Sequence, residues 1–246
     1  MNASQYKVAL VTGAATGIGQ ATAMLLAERG LKVAVCDINA AAGQALADEI
    51  GGTFIECDVA DLASVEQALA QCETALGPPD LAHLNAGIMT VPTGGDFLGI
   101  EDVAPEQYKR IVGVNLDGVY HGLKTLLPGI RERGGAICIT ASIAAFGNLP
   151  VDPMYSATKH ALVGFARSVA VANQDRGVRI NVICPGVVDT AIVPDAFRDP
   201  ATIMPPAELA AEVVDLLYNG SNGEVRAKVT GRPAFTVPPI DVNALP

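Results

Sequence analysis

A single-domain, doubly wound α/β fold, with a mostly parallel seven-stranded sheet covered by helices on both faces, is what this sequence predicts. Three observations carry the prediction. Short apolar runs recur along the chain and alternate with longer segments of helical periodicity. Most runs are apolar at successive positions, as in strands buried on both faces. A glycine cluster follows the first run directly and opens the first helical segment.

In chain order the expected strands are Val8–Val11, Val33–Cys36, Thr53–Cys57, Leu81–Leu84, Ala136–Thr140, Arg179–Cys184 and Val225–Val229. Helical crossovers between them make neighbouring strands parallel. The longest helical runs extend from about Pro105 to Arg131 and from Met154 to Asn173. No repeat or linker divides the chain, so residues 1–246 read as one domain. Two segments fall outside the scaffold: a Pro-containing stretch at about 190–206 and an irregular tail from about 231. The first carries Ile192, Val193, Phe197, Ile203 and Met204. It reads either as an apolar lid over a site or as a helix that packs on the sheet.

Composition excludes several classes. No run reaches the roughly 18 apolar residues of a membrane helix, and Met1 to Gln5 lead straight into a strand without secretory features. The five cysteines, at 36, 57, 72, 138 and 184, are scattered and read as reduced, buried thiols in a cytoplasm. A net charge of −10, with no basic stripe, argues against nucleic acid. His83, His121 and His160 have no partners at ligand spacing and read as structural, so no metal is expected.

The turn Thr12-Gly13-Ala14-Ala15-Thr16-Gly17-Ile18-Gly19 stands between the first strand and the first helix. Glycines there let the backbone approach a pyrophosphate, whose charge the helix start favours. At the end of the second strand, Asp37 is placed to accept both hydroxyls of an adenosine ribose and to repel a 2′-phosphate. Neither Thr16 nor Ile38 is basic, so NAD rather than NADP is the expected cofactor.

Tyr155 and Lys159 are four residues apart at the start of a helical run, one turn apart on one face. A cation beside a phenol stabilises the phenolate and fits it for proton transfer near neutrality. Spacing alone also fits a surface pair. Ser142 ends the fifth strand, and Asp37, Asp58, Asn85 to Gly87 and Pro185-Gly186 also follow strand ends. A doubly wound sheet gathers such residues on one rim, where ligands bind.

With these residues in order, the sequence resembles the short-chain dehydrogenase/reductase family, whose fold is of the Rossmann type, from Lys7 to about Thr230. The motifs in register are Thr12-Gly-x-x-x-Gly17-Ile18-Gly19, Asp37, Asp58, Asn85-Ala-Gly87, Asn115, Ser142, Tyr155-x-x-x-Lys159 and Pro185-Gly186 with Thr190. The resemblance implies that Asp58 and Val59 hold the adenine and that Asn85 to Gly87 flank its ribose. It also implies that Val188 and Thr190 meet the nicotinamide carboxamide and that Lys159 binds the second ribose. Ser142 would hydrogen-bond the substrate oxygen, Asn115 would hold a water connecting Lys159 to solvent, and Tyr155 would exchange a proton with a secondary alcohol or ketone. A homodimer or homotetramer is expected by the same analogy. The alternative, a catalytically silent NAD-binding regulator, has no need of Asn115, Ser142, Tyr155 and Lys159 together.

Two departures from the family pattern stand out: Leu84 replaces a frequent second Asn, and no Asp-Gly-Gly turn follows the last strand. Within the family, the segments around Tyr155, Gly177 to Ile192 and Asn222-Gly223 look most like the NAD-linked hydroxyprostaglandin dehydrogenases. Those enzymes place a substrate-contacting Gln three residues before the tyrosine. Here that position is Asp152, expected to face the substrate and to disfavour an anionic one. Apolar residues between Ser142 and Tyr155, including Phe146, Leu149 and Met154, suggest a pocket for hydrophobic small-molecule alcohols.

Overall fold

The computed structural model describes residues 6–241. All seven expected strands form: β1 Val8–Thr12, β2 Lys32–Asp37, β3 Thr53–Glu56, β4 Leu81–Leu84, β5 Gly135–Thr140, β6 Val178–Pro185 and β7 Val225–Lys228. An eighth, β8 Phe235–Thr236, pairs antiparallel with β7. It lies in the stretch expected to be irregular, which corrects that expectation. The sheet order is β3-β2-β1-β4-β5-β6-β7-β8, parallel up to β7. The order reverses direction between β1 and β4, so a crevice opens there at the carboxyl ends of the strands.

Among the described residues seven α-helices complete the scaffold: α1 Gly17–Glu28, α2 Ala40–Ile50, α3 Leu62–Ala75, α4 Pro105–Val112, α5 Gly118–Arg133, α6 Pro153–Ala172 and α7 Pro206–Asn219. The strands are buried on both sides because each feeds two cores. In β1, Val8 and Leu10 join the core under α3, α5 and α6, while Ala9 and Val11 join the core under α1, α2 and α7. Fully buried Leu26, Leu162 and Leu209 anchor their helices to the sheet, each by about 2 kcal/mol of apolar burial. This double cover fixes the strand ends, and thereby the rim on which the chemistry sits.

Between α4 and α5 the chain makes a π-helical turn, Gly113–Asp117. The extra residue per turn rotates Asn115 inward, where it is completely buried. The segment between β6 and α7 is mostly irregular, with a 3-10 turn at Asp195–Phe197, and α7 begins at Pro206. No helix of the described residues is long and apolar enough to cross a membrane.

Candidate active site

The glycine turn is shaped by contacts that exclude side chains. Gly13 has φ +62°, a left-handed conformation, and a Cβ there would lie 2.8 Å from Ala86 Cα. A Cβ on Gly19 would lie 2.1 Å from the Gly13 carbonyl oxygen. Thr16 occupies the cap position of α1 without a side-chain cap, which leaves the helix start open to an anion. The Asp37 carboxylate braces this turn, accepting from Ala15 N at 2.9 Å through Oδ2 and from Asn39 N at 2.9 Å through Oδ1.

Asn85 supports the turn from beneath. Its Nδ2 donates to the carbonyls of Thr12 at 3.2 Å and Gly13 at 3.1 Å, and its amide N–H donates to Thr12 Oγ1 at 3.0 Å. Its Oδ1 accepts from Thr140 Oγ1 at 3.1 Å, and Thr140 Oγ1 meets His83 Nε2 at 2.8 Å. Because Thr140 spends its proton on Asn85, His83 carries its own proton on Nε2. Burial pushes the His83 imidazole down to about 3, so it stays neutral. The expectation that His83 is structural is thus met by a specific role, as the far end of a polar chain that orients Asn85.

Asp58 accepts from Ala60 N at 2.9 Å, and the Val59 carbonyl meets His121 Nδ1 at 2.9 Å. These contacts fix the β3–α3 loop at the other end of the crevice. A cavity of about 590 Å³ runs from Asp37, Ile38 and Asp58 past the glycine turn to Ser142, Tyr155 and Lys159. Gly13, Gly17, Ile18 and Val59 line its cofactor-facing end. Asn85, Gly87, Pro185, Val188 and Thr190 line its middle. Two of the expected residues do not line it: Gly19 lies beneath the turn, and Asn115 stands behind the wall. The glycine cradle and a cavity lined from Asp37 to Tyr155 fit a dinucleotide.

At the inner end, Lys159 is 3% exposed and its Nζ donates to the Thr140 carbonyl at 3.0 Å. That Nζ sits 5.4 Å from the centre of the Tyr155 ring. Ser142, at the end of β5, hydrogen-bonds Tyr155, and its Oγ accepts from Ala144 N at 3.1 Å. Burial is the dominant influence on both titrating groups. It raises the Tyr155 phenol to about 12, against the pull of the Ser142 hydrogen bond, and lowers the Lys159 ammonium to about 8. The phenol is thus raised where the sequence expects Lys159 to lower it: beside burial, Asp152 and Cys184 raise it, and the downward pull comes from the Ser142 hydrogen bond.

Asn115 reaches the site indirectly. Its Oδ1 accepts from Ile88 N at 2.8 Å, and its Nδ2 donates to Ile88 O at 2.9 Å and to Thr158 Oγ1 at 3.2 Å. Thr158 in turn donates to the Tyr155 carbonyl at 2.8 Å. Thr140 and Thr158 are thus working parts of the site that sequence reasoning missed, although each stands within two residues of a residue it did select, and Thr12, already part of the glycine-turn motif, gains a defined role as the acceptor for Asn85 N.

Asp152 is the main correction. The sequence places it three residues before Tyr155, as a substrate-facing carboxylate, but it is 2% exposed and does not line the cavity. It caps α6, accepting from Tyr155 N at 2.9 Å, as an Asp before Pro153 at a helix start is fitted to do. Among the described residues, no group of three or more His, Cys, Asp or Glu converges on a possible metal position.

The short chain dehydrogenase family model matches residues 7–201. A cyclohexanol dehydrogenase from Acinetobacter sp. (strain SE19) is 37% identical over 198 residues, 78% of this chain and 77% of that protein. A mitochondrial borneol dehydrogenase from Lavandula x intermedia is 35% identical, over 77% of this chain and 72% of its own. Among solved structures, the 3-ketoacyl-(acyl-carrier-protein) reductase from Brucella melitensis complexed with NADH superimposes with a TM-score of 0.82 at 30% identity, covering 90% of this chain and 95% of that one. With its doubly wound sheet and its strand-end residues gathered on one rim, this chain belongs to the short-chain dehydrogenase family of oxidoreductases.

Proposed function

We propose that this protein is an NAD-dependent dehydrogenase that interconverts a hydrophobic secondary alcohol and its ketone. The observation that carries the reading is the convergence of Ser142, Tyr155 and Lys159 at one end of a cavity whose other end is closed by Asp37. The relatives named for cyclohexanol and borneol support a neutral, alicyclic alcohol as the substrate class. The wall beyond Ser142 agrees with this, since Met89, Ile143, Leu149, Ile192 and Phe197 line it.

In this reading Asp37 accepts the adenosine ribose hydroxyls and excludes a 2′-phosphate, while the glycine turn and the open start of α1 hold the pyrophosphate. Asp58 and Val59 flank the adenine, and Val188 and Thr190 lie beside the carboxamide. When bound, the nicotinamide supplies the hydride acceptor for alcohol oxidation and the donor for ketone reduction. Ser142 holds the substrate oxygen, and Tyr155 takes the hydroxyl proton during oxidation and returns it during reduction. Lys159, with its Nζ 5.4 Å from the centre of the Tyr155 ring, is the cation assigned to stabilise the phenolate in this reading, and it is protonated below about pH 8. Asn115, through Ile88, shapes the route by which a water would link Lys159 to solvent. Residues 191–197 would cover the apolar wall as a lid, whereas the end of the expected segment packs on the sheet, with Met204 fully buried in the core and bridged to Val188. The five free, buried cysteines accord with a reducing, cytoplasmic setting, and by family analogy the enzyme is a homodimer or homotetramer.

The test is a panel of neutral secondary alcohols, cyclohexanol and borneol among them, offered with NAD or NADP while reduced cofactor is followed by absorbance. Turnover with NAD and a clear preference over NADP are expected. Equal use of NADP would sink the role of Asp37, and turnover confined to charged sugar acids would sink the substrate class.

A further inference from the structure

The Asp152 carboxylate does more than cap a helix. Its Oδ1 accepts from Tyr155 N at 2.9 Å and from Thr90 Oγ1 at 2.5 Å, and its Oδ2 accepts from Thr90 N at 2.9 Å. A buried carboxylate with three donors is a strong fixed point, since hydrogen bonds to an ionised group are about twice as strong as neutral ones. Arg110 Nη2 adds a bond to the Thr90 carbonyl at 3.1 Å. Two residues earlier, both backbone groups of Ile88 are held by the Asn115 side chain. Met89 lies between these two anchors and lines the cavity, whereas Thr90 and Asp152 face away from it. The cavity wall at Met89 is therefore held on both sides by side-chain hydrogen bonds to the backbone, and one clamp is the cap of the helix that carries Tyr155.

We propose that Asp152 is a positioning residue that fixes the Met89 wall relative to Tyr155, and that this fixed spacing sets which size of alicyclic alcohol the site accepts. The substrate part of this inference rests on the alcohol dehydrogenase reading above. The clamp itself does not. The spacing stays constant because both ends of the gauge hang on a single carboxylate: Tyr155 through its own amide, and the wall through Thr90. The groups that act on or stand beside the phenol are Ser142 after β5, Lys159 on α6, Asp152 at the cap of α6, and Cys184 on β6. Of these, Asp152 carries a negative charge that raises the phenol, so its neutralisation also alters the acid–base behaviour of the site.

Two variants separate the possibilities. In D152N the side-chain oxygen can still accept from Tyr155 N and Thr90 Oγ1, but its amide faces Thr90 N donor to donor. In T90V only the hydroxyl bond is lost, and neither the charge nor the helix cap is touched. Hydrogen exchange of the 88–91 amides is measured in both, together with NADH binding and with kcat and KM for cyclohexanol and for the bulkier borneol. Exchange about tenfold faster in D152N is expected, with a smaller rise in T90V, as for a loop released from its anchor. NADH binding should stay within about twofold of wild type, while the cyclohexanol to borneol ratio of kcat/KM shifts by about fivefold or more. In D152N alone, the rising limb of the pH profile for oxidation should move to lower pH. Unchanged exchange in both variants overturns the clamp. An unchanged substrate ratio despite faster exchange overturns the claim on specificity, and a D152N pH profile identical to wild type overturns the electrostatic part. If wild type oxidises neither alcohol, the functional reading fails, and the exchange rates still decide whether Asp152 holds the loop.

Discussion

Lys159→Met should make this protein more stable at neutral pH while removing its turnover. The side chain is 3% exposed, and burial lowers its ammonium from 10.5 to about 8. At about 1.4 kcal/mol per pH unit, holding the charge in the folded state costs about 3 kcal/mol. Methionine fills a similar volume without that charge but gives up the Nζ bond to the Thr140 carbonyl, a loss of about 1 kcal/mol. The net gain is about 2 kcal/mol, which for a chain of this size raises Tm by about 4–8 °C. The gain depends on pH in a defined direction. Below pH 8 the lysine is charged both folded and unfolded, so the wild type bears the full cost and the variant shows its full advantage. Between about 8 and 10.5 the folded lysine releases its proton while the unfolded one keeps it, so the wild type gains stability and the advantage shrinks. Scanning calorimetry of both proteins at pH 6.5 and pH 10 reads this directly. A variant that is less stable at pH 6.5, or whose advantage is the same at both pH values, would refute the claim that Lys159 is a buried charge retained for function.

His83→Leu should flatten the acid limb of stability. The buried imidazole stays neutral down to about pH 3, so from 6.5 downward the unfolded chain takes up a proton that the folded one refuses, costing the wild type about 2–3 kcal/mol by pH 4.5; urea titrations at pH 7 and 4.5 measure the difference. Gly13→Ala should weaken NADH binding by tenfold or more without loss of helical circular dichroism, because its Cβ would meet Ala86 at 2.8 Å from a left-handed backbone; fluorescence titration of bound NADH checks it. Asp37→Ser should erode the preference for NAD over NADP by about tenfold or more and also loosen the turn that Asp37 braces at Ala15; the ratio of kcat/KM for the two cofactors is the readout.

The sheet was legible because its signal is local and repeated: an apolar run of strand length, a crossover of helical period, and the same again. β8 was not, since two residues in a Pro-rich tail acquire strand character only from the free edge of β7. The rim residues were legible because each follows a strand end, and a parallel sheet sends all such ends to one side. What the sequence hid is the polar scaffolding one layer back. Thr140 contacts Asn85 across 55 residues and Thr90 contacts Asp152 across 62, and no local pattern announces such pairs. Asp152 was misread although a signal was present: an Asp followed by Pro at the start of a helical run marks a cap, and a cap carboxylate turns back toward its own helix. The raised Tyr155 phenol was equally out of reach, because spacing reveals the neighbouring cation but not the surroundings that oppose ionisation.

The central claim is that Tyr155 moves the proton, and Tyr155→Phe tests it most directly. The phenylalanine ring fills the same space and loses only the hydroxyl with its Ser142 hydrogen bond. Steady-state oxidation of cyclohexanol should fall by about a thousandfold or more, in line with loss of a general base, while NADH binds as tightly as to the wild type. Turnover within a few fold of wild type, with the cofactor still bound, would contradict the account.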